Sequence, residues 1–408
     1  MRFGIDITPL SAGKGGVQNY TRALVQGLLG LDRRNEYRLF HNGPASPFRL
    51  ATASSHPGVE ILTWRGKLAH LTATARQLPK SPAAAAILAK ALPMRSSRIL
   101  KDQLLAGLDL FHSSDVFLWD NAPAANLITV FDLTTILFPE FHTELNVRIH
   151  ARKIAFVKKP GVDVVAISQC TKNDLVKHCG ISPERIRVIY PGCDPRLFRP
   201  LPEEDVLPVL SAHGLERGYI LAVGTIEPRK NLVGLISAFE ILARLGSRSE
   251  RLVLVGAKGW LSRETFARIA SSPLRGRIKW LDHVPESDLP QLYNGAALLA
   301  YPSFYEGFGL PIVEAMACGV PVVAADRSSA PELVQDTGLL VDPCDPEEMA
   351  RAMQSLLADR ARRREIAEKG MARARFFSWE RMVREILEAY REAVESKKRQ
   401  LAATRLPS

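Results

Sequence analysis

The 408-residue sequence has no run of about 18 or more apolar residues, so no segment reads as a membrane-spanning helix. Its opening, MRFGIDITPL, lacks a basic stretch leading into an apolar core and a small-residue cleavage site. It reads as a first strand, and export is not expected. Cysteine is scarce: Cys170, Cys179, Cys193, Cys318 and Cys344 are odd in number and never spaced as C-x-x-C. That usage points to thiols in a reducing compartment and argues against a disulfide framework. Zinc-ligand spacing, RNA-binding signatures, helix-turn-helix patterns and fixed-period repeats are also missing, so nucleic acid is not an expected partner despite a net charge of +11. Acidic residues are absent from 64–101, an alanine-rich stretch that carries eight Lys and Arg. It reads either as a solvated helical insertion or as a basic amphipathic helix on an anionic membrane surface. The expected location is cytoplasmic, with attachment to the inner face of the plasma membrane through that stretch.

What the chain does have is a strand–helix rhythm. Short apolar runs bounded by turn residues or polar helical stretches occur at 2–8, 37–41, 59–63, 108–112, 127–131, 162–168 and 186–190. The pattern breaks over 190–210, which is rich in proline and reads as an interdomain linker. It resumes at 219–223, 252–255, 278–281, 298–300, 320–324 and 338–341, with helical stretches such as 232–245 and 346–357 between. Runs of this kind are typical of parallel strands covered on both faces. The fold class expected is therefore α/β, with two Rossmann-like doubly wound domains facing each other across a cleft. The expected boundaries are 1–195, 196–378 and 379–408. The last piece is a charged helix that packs back on the N-terminal domain, with Trp379 as a candidate anchor of the crossing.

Three segments carry chemistry. In YPSFYEGFGLPIVEAMACGVPVV, Glu306 and Glu314 are separated by seven residues around a Gly-Phe-Gly-Leu-Pro turn. Pro311 suits a first helical position and Gly319 a C-terminal cap, which puts Glu314 in the first helical turn, where it is expected to stay ionised. The amides of Phe308, Gly309 and Leu310 are then free to meet phosphate or hydroxyl groups. In AVGTIEPRKNL, Arg229 and Lys230 follow a strand end and precede a helix, a place for two cations to meet a diphosphate. In GKGGVQNY, Gly15 and Gly16 allow close backbone approach after the first strand, a weak signal alone. Each segment also has a plain reading: Glu314 complementing a helix dipole, Arg229 and Lys230 as surface cations, the glycines as a tight turn. No Asp-x-Asp pair ends a strand, and no metal site is expected.

Together these segments resemble the retaining glycosyltransferases of family four, which have the two-Rossmann B-type fold. AISQCTKNDLVKHCGISPERIRVIYPGCDPRLFRP, LVLVGAKGW and IKWLDHVPESDLPQLYNGAALLAYPS are similar to the family as well. The resemblance implies that Lys230, helped by Arg229, binds the donor diphosphate, that Glu314 holds the ribose, and that Glu306 lies near the transferred sugar. It places Phe308, Gly309 and Leu310 at the sugar and phosphate, His283 and Val284 near the base, and Gly16 on the phosphate side of the cleft. Thr225 stands where many members have Arg, and Phe131 where many have His before the retained Asp132. Asp132 either orients an acceptor hydroxyl or donor sugar, or caps the turn before Leu133. His112 is expected to orient a loop.

The implied activity is a hexosyltransferase without a metal cofactor. Its donor is a nucleotide sugar, GDP-mannose in the favoured case by likeness to bacterial mannosyltransferases. The acceptor is a glycan or lipid-linked glycan of cell-surface polysaccharide such as lipopolysaccharide. Other readings are a nucleotide-sugar epimerase of related fold, a non-catalytic sugar-nucleotide-binding protein, and a basic scaffold for acidic polymers.

Overall fold

A computed structural model of the chain describes residues 1–11, 15–42, 56–64, 105–114, 124–246 and 249–403. Nearly all of the basic stretch 64–101, and Gly13 and Lys14 of the first loop, lie outside the described residues.

Two parallel sheets form the frame. The first contains β1 (Arg2–Asp6), β2 (Glu36–Asn42), β3 (Val59–Trp64), β4 (Leu110–Ser113), β5 (Ala125–Val130), β6 (Val162–Ala166) and β7 (Ile186–Val188). Their order is β3-β2-β1-β4-β5-β6-β7. The second contains β8 (Tyr219–Val223), β9 (Leu252–Val255), β10 (Ile278–Leu281), β11 (Ala296–Tyr301), β12 (Val322–Ala325) and β13 (Leu339–Val341), in the order β10-β9-β8-β11-β12-β13. Both orders reverse direction once, between β1 and β4 and between β8 and β11. Such a reversal opens a crevice beyond the carboxyl ends of the strands, and ligands of doubly wound sheets bind there. Strands β4, β5, β9 and β12 are buried along their whole length, and β9 and β12 accordingly read as unbroken apolar runs.

One segment departs from the sequence reading. Residues 190–210 are not all linker, because Glu203–Ala212 is a helix with Pro208 inside it. Glu203, Glu204 and Asp205 favour its first turn. Val206 and Leu210, four residues apart, bury one face, and Leu210 packs where a Cβ on Gly295 would stand 2.7 Å away. This short apolar stripe outweighs the proline.

The chain crosses between the sheets twice, side by side. The Cys193 amide bonds the Phe377 carbonyl at 3.0 Å, and a Cβ on Gly192 would meet the Trp379 nitrogen at 2.0 Å. From Trp379 the last helix, Trp379–Ala403, runs along the first sheet. Val383 presses on Gly27, and Tyr390 packs on Phe3 with ring centroids 4.9 Å apart. The Tyr390 hydroxyl meets His112 Nδ1 at 2.7 Å. His112 Nε2 meets Thr129 at 2.8 Å, so this buried imidazole ties the helix to β4 and β5. Burial drives its pKa down to about 3 and keeps it neutral.

Candidate active site

The charged residues gather where β8 and β11 end, at the switch point of the second sheet. Gly224 leaves β8 with φ +146°, and a Cβ there would lie 2.8 Å from Lys230 Cε. Glycine therefore lets the lysine stem fold back over the strand end. Arg229 and Lys230 close a short 3-10 turn, Pro228–Lys230. Asn231, at φ +53°, pins that turn to the neighbouring loops by donating to the carbonyls of Pro302 (3.2 Å) and Pro343 (2.6 Å).

Both cations converge on Glu306. Lys230 Nζ donates to Glu306 Oε1 at 2.6 Å and to the Tyr301 hydroxyl at 2.8 Å. Arg229 Nη1 lies 2.5 Å from Glu306 Oε2 and donates to the Tyr305 carbonyl at 2.7 Å. Its Nη2 donates to Glu227 Oε1 at 2.6 Å. The result is a buried chain of alternating charge: Glu227, Arg229, Glu306, Lys230. Burial would raise the Glu306 pKa, but Arg229 and Lys230 outweigh it and hold the carboxyl at about 2. Burial also pushes Lys230 down, partly offset by Glu306. Sequence reading leaves both cations open to a ligand, whereas here each is engaged by a carboxylate.

The loop after Glu306 is held by serines. Ser328 accepts the Glu306 amide at 3.0 Å, and Ser329 donates to the carbonyls of Glu306 (3.0 Å) and Phe308 (2.5 Å). The Phe308 ring is buried against Phe377, leaving its backbone toward the loop. Gly309, at φ +108°, starts the helix Leu310–Ala317, which has no side-chain cap at its N-terminus. Leu310 is therefore first, Pro311 second, and Glu314 fifth, one residue later than the sequence suggests and just past the first turn. Glu314 also departs from the expectation of a firmly ionised group. Burial raises its pKa to about 7, and the Tyr293 hydroxyl, donating at 2.7 Å, opposes this only in part. Helix-terminus stabilisation fades beyond the first turn, so it does little for a fifth residue.

Across the cleft, Asp132 follows β5. Its Oδ1 accepts from the Thr134 amide (3.1 Å) and hydroxyl (2.6 Å), so it does cap a turn. Burial would raise its pKa, yet Arg229 of the other sheet holds it below the ordinary value. Asp132 therefore faces the same ion cluster while capping its own loop. Further contacts close the cleft. Glu332 accepts the amides of Gln169 and Cys170, each at 2.9 Å, and the Tyr190 hydroxyl at 2.7 Å. Tyr305 donates to Asp174 at 2.6 Å, and Trp260 Nε1 to the Phe141 carbonyl at 2.6 Å.

The remaining candidates stand apart from the cluster. Thr225 is exposed, with its methyl over Gly259. His283 is exposed on the loop after β10, and Val284 packs on the core. Gly16 begins the helix Gly16–Leu31 and has open space where a Cβ would be. Sequence reading misses Glu227, Tyr293, Tyr301 and Glu332. Glu227 alone left a local signal, an acid directly before Pro-Arg-Lys. Among the described residues, no group of three or more His, Cys, Asp or Glu is placed to hold a metal ion, and no helix is long and apolar enough to cross a membrane.

Comparison with known proteins places the chain in a family. Residues 14–197 match the model described as Glycosyltransferase Family 4, and 210–373 the model described as Glycosyl transferases group 1. The O-antigen chain mannosyltransferase B of Escherichia coli is 33% identical over 283 residues, covering 69% of this chain and 74% of that protein. The chain belongs to the family-four glycosyltransferases. A D-inositol 3-phosphate glycosyltransferase of Salinispora tropica is 37% identical over 245 residues, which span 57% of this glycosyltransferase and only 51% of its relative. A solved Anabaena protein in complex with UDP-glucose shares the fold, with TM-score 0.70 over 96% of this chain and all of that one, at 22% identity. The two facing Rossmann-like sheets are thus the B-type architecture.

Proposed function

We propose that this glycosyltransferase moves a hexose from a nucleotide sugar, GDP-mannose being the favoured donor, to a glycan or lipid-linked acceptor during assembly of a cell-surface polysaccharide, with retention at the anomeric carbon. The observation that carries this reading is the Arg229–Lys230–Glu306 cluster at a switch point, facing Asp132 across the cleft. The name of the E. coli relative supports mannose and a polysaccharide acceptor.

In this reading the donor diphosphate takes the place of Glu306 on Arg229 and Lys230. The freed Glu306 carboxylate then accepts hydrogen bonds from the sugar. Glu314 accepts from the ribose hydroxyls, and the base lies by His283 and Val284. Thr225 and Gly16 line the phosphate side, and the Phe308, Gly309 and Leu310 backbone meets sugar and phosphate. As the bond between the anomeric carbon and the diphosphate breaks, negative charge grows on the leaving oxygen. Two fixed cations and the uncapped helix N-terminus stabilise it. The acceptor oxygen bonds the same face of the sugar, and its proton passes to the leaving phosphate. Asp132 orients the acceptor or donor hydroxyls. Cations from the protein do the work of a metal, so the reaction is taken as metal-independent. The basic stretch 64–101 holds the enzyme on the anionic inner leaflet, where lipid-linked acceptors reside.

A thermal-shift panel of GDP-, UDP- and ADP-sugars tests the donor, since a ligand bound by the native state raises its stability. GDP-mannose is expected to give the largest shift, and proton NMR of the transferred sugar to show the donor's anomeric configuration. A panel in which no sugar nucleotide stabilises the protein removes the reading. Vesicle co-sedimentation tests the membrane contact, which is expected to need anionic lipid and to weaken with salt.

A further inference from the structure

Glu227 has no task in the transfer described above, yet it is built into the site. Its residue is 2% exposed, and its Oε1 accepts from Arg229 Nη2 at 2.6 Å. Its Oε2 is closed off from solvent and has no partner. A buried carboxylate with one oxygen unpaired is costly to keep. Holding Arg229 in place does not need a second charge, because the Tyr305 carbonyl and Glu306 already do so.

Charge balance shows what the extra carboxylate does. Glu227 and Glu306 offset Arg229 and Lys230, so these four groups sum to zero before a ligand arrives. A diphosphate adds about two negative charges to this low-dielectric place. Glu306 sits within the loop 302–309 and leaves the cations for the sugar in the proposed reaction. Glu227 is walled in and stays. Its neighbours are Arg229 and Lys230 on its own turn and Glu306 from the loop after β11. Lys258, on the adjoining loop, points its ammonium over the Phe266 ring, 5.2 Å from the centroid, and Asp132 and His142 interact with the far side of Arg229. Burial raises the Glu227 carboxyl above its ordinary value, against the pull of Arg229 and Lys230.

We propose that Glu227, through a negative charge fixed in place beside Arg229, holds down the affinity for nucleoside diphosphate so that the spent product leaves. The inference rests on the reading that Arg229 and Lys230 hold the diphosphate. Calorimetric titration of GDP and UDP into the full-length wild type, Glu227→Gln and Glu227→Asp, between about pH 5.5 and 8, tests it. Glu227→Gln keeps the bond to Arg229 and loses the charge, so near pH 8 it is expected to bind about tenfold more tightly. Its advantage over wild type is expected to be no larger at about pH 5.5 than at about pH 8, because burial favours the protonated form of the wild-type carboxyl as pH falls. Glu314, common to both proteins, cancels in that ratio. Glu227→Asp keeps the charge on a shorter arm and is expected to gain nothing. Equal or weaker binding by Glu227→Gln at every pH, with unchanged melting temperature, overturns the inference alone. If the wild type binds neither diphosphate, the underlying reading fails, and the inference with it.

Discussion

Gly307 rests against the carbonyl of Phe131 so closely that a Cβ on it would stand 1.8 Å from that oxygen. The two residues follow strands of different sheets, β11 and β5 respectively, and Thr171 reaches both carbonyls, at 3.4 Å to Gly307 and 3.5 Å to Phe131. The glycine beside Glu306 therefore sets how near the halves of the cleft come. Gly307→Ala is expected to keep the fold and block full closure. A misplacement of about 1 Å in a reacting geometry costs on the order of 10²-fold in rate, and a loss of that size in kcat is expected. Steady-state kinetics and small-angle scattering check it. A variant with wild-type kcat would mean that the contact is incidental.

Glu332 acts as a helix cap supplied from the other sheet. Its two oxygens take the free amides of Gln169 and Cys170, where the helix Gln169–Cys179 begins, and one of them also takes the Tyr190 hydroxyl. Loss of a capping carboxylate costs about 0.5–2 kcal/mol. Ser168 still caps the same helix through the Thr171 amide at 3.0 Å, so Glu332→Ala should loosen the cleft more than the helix. The expected result is a donor KM raised by about tenfold, roughly 1.4 kcal/mol. A melting temperature that falls with KM unchanged would assign Glu332 to folding alone.

Lys230 and Glu314 separate two tasks: Lys230 pairs with Glu306 in the loop, whereas Glu314 lies within the helix that follows and pairs with Tyr293. Lys230→Ala removes a buried cation and leaves Glu306 with Arg229 alone. Glu314→Ala leaves the Tyr293 hydroxyl without its acceptor. Each is expected to lower transfer by at least about tenfold, or roughly 1.4 kcal/mol. Near-normal transfer by both would remove the site assignment.

The parts of this molecule that sequence made legible are those fixed by local pattern. Strands β8, β9 and β10 fall at 219–223, 252–255 and 278–281, as their apolar runs predict; β8 and β9 are buried nearly throughout, and strands buried on both faces admit little else. Arg229, Lys230, Glu306 and Glu314 are legible for the same reason: each sits in a short segment whose glycines and prolines announce a strand end or a helix start. What sequence hides is pairing over distance. Nothing in the neighbourhood of Glu332 points to an amide at Gln169, and nothing near Glu306 announces that it neutralises the two cations 76 and 77 residues before it. The helix Glu203–Ala212 stays hidden because Pro208 reads as a breaker until Val206 and Leu210 are seen to share a buried face.

The two glutamates around the glycine turn are expected to titrate in opposite senses. Glu306 has its pKa lowered from 4.5 to about 2, so the unfolded chain binds its proton more readily than the native one. Its contribution to stability is present above pH 4.5 and is lost as pH falls toward 2. Glu314 has its pKa raised from 4.5 to about 7, so here the native state holds the proton more readily. Its contribution is fully present below pH 4.5 and is lost as pH rises through about 7. Glu314→Gln cannot ionise and should escape that loss. The difference in urea midpoint between Glu314→Gln and wild type is therefore expected to move in favour of the variant between about pH 5 and 8. Ribose hydroxyls that donate to Glu314 favour its ionised form, so nucleotide binding by the wild type should also tighten over the same interval. Midpoint curves that stay parallel across it would show that Glu314 ionises at an ordinary value in the folded protein.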